Sequence, residues 1–192
     1  MGMAIRVEGD MSATVTDYGQ FYDLESYLLK VVKERFRELG SLSTFDFFCI
    51  VIWKANRAKS TIARGLLKRG YENLDAAVEA LTSGLAKQGS AEEKLRYLFE
   101  TWSFRLPMAS AILTVLYPEE FTVYDERVCD MLDDFRDLKN KTSFNRLWPM
   151  YQSFLRAVEK AAPVGLTLRE KDRYLWGKSF SERLHKDIAE WA

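Results

Sequence analysis

The sequence predicts an all-α fold, and three observations carry that prediction. Apolar residues recur at helical spacing through almost every segment, helix-capping patterns punctuate the chain, and the one strand-like stretch, FTVY at 121–124, is too short to found a sheet. With 192 residues, 47% of them hydrophobic and 14% aromatic, the chain can bury one sizeable core and is too short for two generous ones. Caps and breaks together indicate about ten helices and no sheet.

Residues 1–16 lack periodicity and read as a flexible N-terminal arm ahead of a single helical domain over 17–192. Leu24, Tyr27, Leu28, Val31, Val32, Arg35, Phe36 and Leu39 follow a helical repeat, and Gly40 stands where that helix should end. Ser43 with Asp46 opens a second helix, FDFFCIVIWK, which is apolar on all sides and is therefore expected at the centre of the fold. Ser60, Asn73 and Ser90 are expected caps, Ser90 with Glu93 matches the capping-box pattern, and Gly70, Gly84 and Gly89 are the expected breaks. Pro107 suits the first turn of MASAILTVLY, whose small residues predict close packing against a neighbour. Past FTVY, Asp125 opens RVCDMLDDF. A longer helix over 142–161 carries Pro149 as an expected kink, and Thr167 with Glu170, then Ser179 with Glu182, repeat the capping box before two last helices.

Composition narrows the chemistry. Formal net charge is zero, which removes the simplest electrostatic argument for nucleic-acid binding and leaves only local patches. Cys49 and Cys129 fit no metal-ligand spacing and read as reduced, buried thiols, and no metal or other cofactor is expected. A single histidine, His185, gives Ser-His-Asp catalysis or a histidine zinc site little to work with. No Gly-rich phosphate loop occurs. Glu119 and Glu120 are adjacent and point apart, as in a solvated turn. Neither a signal-peptide core nor an apolar run of membrane length is present, so no membrane association and a cytoplasmic location are expected.

Three features stand above this background. Asp125 follows the extended FTVY and precedes a helix; as a cap it would accept its own helix's free amides, and the same carboxylate could serve a reaction. WKANRAKSTIARGLLKRG gathers Lys54, Arg57, Lys59, Arg64, Lys68 and Arg69 without an acidic residue, which is either a solvated face or a surface for phosphates. KDRYLWGKSF sets Asp172, Tyr174 and Trp176 beside Lys171 and Arg173, a mixture typical of a helix that packs its aromatics and solvates its charges.

The Asp125 segment resembles the helix-hairpin-helix base-excision DNA glycosylases, whose signature runs L-P-G-V-G-x-x-x-A, an aliphatic helix, a short loop and V-D-T-H-V with the catalytic aspartate. In TWSFRLPMASAILTVLYPEEFTVYDERV, Ala109, Leu113, Asp125 and Val128 fall without a gap on the family's alanine, aliphatic, aspartate and valine positions. FDFFCIVIWKANRAKSTIARGLL is similar to the family's first core helix and the turn from which a polar residue enters DNA, a position near which Asn56 falls. The resemblance covers residues 42–138 and implies a two-lobed helical domain, with 17–41 and 139–192 completing the second lobe.

It further implies DNA carrying a damaged or modified base as partner, a base flipped into an interlobe cleft, and Asp125 as the catalytic carboxylate. Lys54, Asn56, Arg57, Lys59 and Arg105 would contact DNA, and Trp53, Trp102, Tyr124 and Trp176 would form the base pocket. The hairpin glycines fall on Ser103 and Arg105, which predicts an altered hairpin, although amides at the start of the Pro107 helix remain able to receive an anion. The Schiff-base lysine of bifunctional members falls on Pro107 and the four-cysteine iron–sulfur loop is missing, so a monofunctional DNA glycosylase is expected, nucleoid-associated if it acts on DNA. The alternatives are a non-catalytic DNA-binding module with the same fold and a helical interaction protein.

Overall fold

The computed structural model describes residues 18–191, and the arm expected over 1–16 lies outside them. Regular structure among the described residues is helical, with no strand. Leu24–Tyr27 (α1) and Lys33–Leu39 (α2) are joined through a π turn, Leu28–Val32, into one rod. Gly40 ends it at φ 68°, a left-handed conformation that carries no Cβ penalty in glycine. Thr44–Ala55 (α3) starts where the Ser43 hydroxyl accepts the Asp46 amide at 3.1 Å. Phe47, Ile50 and Val51 are fully buried, whereas Phe45 and Ile52 face solvent, so α3 is central along most of its circumference and not all of it.

A short 3-10 turn, Asn56–Ala58, leads into Lys59–Leu67 (α4), followed by Leu74–Ala86 (α5) and Ala91–Arg96 (α6). Asn73 caps α5, and Ser90 with Glu93 forms the expected capping box on α6. α6 runs on through a π turn, Tyr97–Thr101. Leu106–Leu116 (α7), Glu126–Leu132 (α8), Phe144–Ala161 (α9) and Leu168–Trp191 (α10) complete the chain.

Several boundaries differ from the sequence expectation. Ser60 caps nothing: α4 begins at Lys59 directly from helical backbone at Ala58, so no extended residue is available to turn a side chain onto free amides. Gly84 lies inside α5, where an added Cβ would collide with the Tyr97 hydroxyl; the glycine serves close approach between α5 and the Tyr97 turn and does not break the helix. Ser179 is buried within α10, which passes uninterrupted through Gly177, so the two expected C-terminal helices are one. α9 likewise continues through Pro149. Because the π turns weld neighbouring segments, independent helical bodies are slightly fewer than the roughly ten that caps alone suggest.

One hydrophobic cluster extends from Tyr27 to Leu175. α7 lies at its heart, buried at Leu106 and from Ala109 to Leu116, and it packs on both α3 and α2. The turn after α7 is pinned as well as solvated. The buried Lys94 ammonium binds Glu120 at 2.7 Å and lies 4.3 Å from the Tyr117 ring centre, while Arg37 binds Glu119 at 3.0 Å. That anchoring fixes where residues 121–125 must start.

Candidate functional site

Residues 121–124 belong to neither helix nor strand, yet they are buried, so their backbone polar groups need side-chain partners. Tyr151 of α9 donates its hydroxyl to the Thr122 carbonyl at 2.6 Å and accepts the Thr122 amide at 3.3 Å. The Ser110 hydroxyl of α7 accepts the Tyr124 amide at 2.9 Å. This segment is thus held by two helices and delivers Asp125, itself extended, to the head of α8.

Asp125 caps α8 by accepting the Arg127 amide at 3.0 Å on Oδ1, and its Oδ2 accepts Lys54 Nζ at 2.8 Å. Lys54 also donates to the Tyr124 carbonyl at 3.3 Å. Burial acts to raise the Asp125 carboxyl, but the Lys54 ammonium, its hydrogen bond and the Arg127 amide together outweigh burial and hold it below the usual carboxylate value. At neutral pH it is an anion.

This carboxylate opens into a cleft of about 680 Å³ whose walls come from Trp53 and Lys54 of α3, Val123 and Asp125, Arg127 of α8, Glu25 of α1, and Arg169, Asp172, Arg173 and Trp176 of α10. Arg169 is fixed by Glu25 at 2.9 Å and by Asp172, and its guanidinium sits 5.1 Å from the Trp53 ring centre. Arg127 lies over Trp176 at 5.1 Å. Asp172 is almost wholly buried; burial pushes its carboxyl up against the pull of Arg169, Thr122 and the Val123 amide. A second cleft of about 570 Å³ shares Lys54, Asp125 and Arg127 with the first and adds Pro107, Tyr124, Glu126, Asp130, Arg136, Lys139 and Arg183. Among the described residues no group of His, Cys, Asp and Glu is arranged to hold a metal ion, and no helix is long and apolar enough to cross a membrane.

Of the residues singled out in the sequence, Asp125, Lys54, Trp53, Asp172, Arg173 and Trp176 meet in the first cleft, and α10 departs from the expected packing: Asp172 is buried against Arg169, whereas Tyr174 and Trp176 stay partly exposed. Lys54 is there as the partner of Asp125, not as a free surface cation. Tyr124 is buried, packs edge-on to Phe154 and borders the second cleft. Trp102 lines neither cleft: it stacks on Tyr71 beneath Arg69 and belongs to the core. Asn56 and Arg57 are exposed on the 3-10 turn after α3, with Lys59 donating to Asn56 at 3.0 Å. Arg105 is exposed at the head of α7, which has no side-chain cap. Ser103, where the resemblance places a hairpin glycine, holds φ 61°.

Arg127, Arg169 and Glu25 escaped the sequence reading. Arg169 left a trace, since a cation in the first turn of a helix opposes the macrodipole and so calls for a partner elsewhere. Glu25 left none, for it reaches the cleft across 144 residues of chain. Comparison of the chain with known protein families, curated proteins and solved structures finds no match.

Proposed function

We propose that the protein is a monofunctional DNA glycosylase-like enzyme that excises a base held in the Asp125 cleft. One observation carries this reading: an ionised carboxylate at a helix start faces a cleft that also presents two tryptophans and four cations. The volume lies within the range of small-molecule sites, roughly 300–1,000 Å³, and suits a nucleoside. A base extruded from the stack would lie against Trp53 or Trp176. As the glycosidic bond breaks, its electron pair leaves with the base and positive charge develops on the sugar, which the Asp125 carboxylate stabilises. Water then adds to the sugar carbon, and the proton it gives up ends on the departed base, leaving an abasic site. Lys54 keeps Asp125 ionised and oriented, Arg127 and Arg173 receive phosphates, and Asn56, Arg57 and Lys59 approach the strand outside the cleft. The left-handed Ser103 supports the comparison with the family's hairpin, because that conformation is what a hairpin glycine ordinarily supplies.

A second reading, a non-catalytic DNA-binding module, is favoured by the engagement of both Asp125 oxygens, one by Arg127 and one by Lys54. An alkali-cleavage assay on end-labelled duplexes with a panel of damaged and modified bases separates the two. Strand breaks that appear only after alkali establish the glycosylase and identify its base. Tight, salt-sensitive binding with no break on any duplex establishes the module.

A further inference from the structure

Trp176 and Phe180 stand one turn apart on α10 with their rings parallel, 5° between planes and 5.8 Å between centroids. Each is nearly half exposed, at 42% and 45%, which leaves costly aromatic surface in water. Arg127 reaches across from α8 and places its guanidinium 5.1 Å and 5.6 Å from the two ring centres. Trp176 is also a wall of the first cleft, so the paired rings begin inside it and lead out along α10. Arg183, three residues past Phe180, lines the second cleft.

Charge tells what this face would take. The second cleft sets Lys54, Arg127, Arg136, Lys139 and Arg183 against Asp125, Glu126 and Asp130. All three carboxylates are already paired: Asp125 with Lys54, Glu126 with Lys139, and Asp130 with Arg136 at 2.9 Å. Among the described residues, Arg127 and Arg183 have no carboxylate within ion-pair distance; Arg127 lies over both rings and Arg183 follows Phe180 on α10. Flat aromatic plates beside unneutralised arginines match a chain that carries both planar groups and anions, and only an unpaired strand has base faces free to stack. A duplex hides those faces.

We propose that the Trp176–Phe180 face of α10, with Arg127 and Arg183, is a single-strand track continuous with the Asp125 cleft. Bases flanking the nucleotide in the cleft stack on the two rings, and the arginines hold the phosphates between them. The proposal rests on the cleft receiving a nucleotide, as in the function proposed above, and makes single-stranded or locally opened DNA its preferred form.

Fluorescence anisotropy with a labelled oligothymidylate of about 12 nucleotides, against a duplex of the same length, tests it. Wild type should bind the single strand more tightly. Trp176→Ala and Phe180→Ala should each weaken that binding by roughly fivefold or more, the fold-change that corresponds to about 1 kcal/mol of lost stacking. Trp176→Phe, which keeps a ring, should retain most of the affinity, and Arg183→Glu, on an exposed position, should weaken binding and lessen its salt dependence. Circular dichroism checks that each variant is folded, and Arg183→Glu keeps the test decisive if a ring variant is not. Equal affinity for strand and duplex, or affinity unchanged in folded ring variants, would overturn the track. So would ring-dependent self-association without strand binding. Excision assayed on the same wild-type protein keeps the two proposals apart: ring-dependent strand binding without excision leaves the track standing and removes the glycosylase, while excision with ring-independent binding does the reverse.

Discussion

Replacing Asp125 with asparagine separates the two roles that one carboxylate can hold. Asparagine caps helices as well as aspartate does, so the bond from the Arg127 amide survives, while Lys54 loses the anion 2.8 Å from its ammonium. A hydrogen bond to a charged group contributes about 1.5–3 kcal/mol. The Asp125 side chain is 27% exposed and Lys54 14%, so screening reduces this to about 1–2 kcal/mol. In a domain of this size each kcal/mol moves Tm by about 2–4 °C, which predicts a fall of about 2–8 °C near neutral pH. The folded carboxyl lies below its unfolded value, so the pair's contribution is fully present above about pH 4 and is lost as pH falls through the lower folded value. The gap in Tm between wild type and Asp125→Asn should therefore stay open through the neutral range and close in acid. Excision in the alkali assay should disappear in a variant that remains folded at the assay temperature. Wild-type excision by folded Asp125→Asn would refute the catalytic role, and a Tm gap that widens in acid would refute the ion pair as its source.

Three further outcomes test the supports of the site. Tyr151→Phe removes the one hydroxyl that partners both backbone groups of buried Thr122 and should cost about 1–3 kcal/mol in denaturant unfolding, with lower excision although no cleft residue is altered; unchanged stability would show that Tyr151 does not hold residues 121–124. Gly84→Ala drives a methyl into the Tyr97 hydroxyl and should cost about 1–3 kcal/mol by overpacking, read as a lower midpoint at constant slope. Arg57→Ala, on the exposed turn, should weaken duplex binding and reduce the slope of log affinity against log salt by about 1, and an unchanged slope would take that turn off the DNA.

Helix capping and hydrophobic repeat are interactions within about four residues, and wherever such an interaction suffices the sequence is decisive. Ser43, Asn73 and Ser90 cap as their neighbours dictate, Gly40 ends its helix, and Asp125 heads α8. The same residue types mislead where a distant group competes: Gly84 looks like a break until Tyr97 arrives beside it, and Ser179 looks like a cap until it is buried inside α10. The candidate site divides along the same line. Asp125 as a helix cap is legible from its neighbours alone. That Lys54 comes to Asp125 across 71 residues, that Glu25 fixes Arg169 across 144, and that Trp53 and Trp176 face one space while Trp102 turns into the core are decided only by packing. A cleft wall is built from contacts between remote segments, and their meeting depends on how every intervening helix fills its neighbours' volume, which no local pattern encodes.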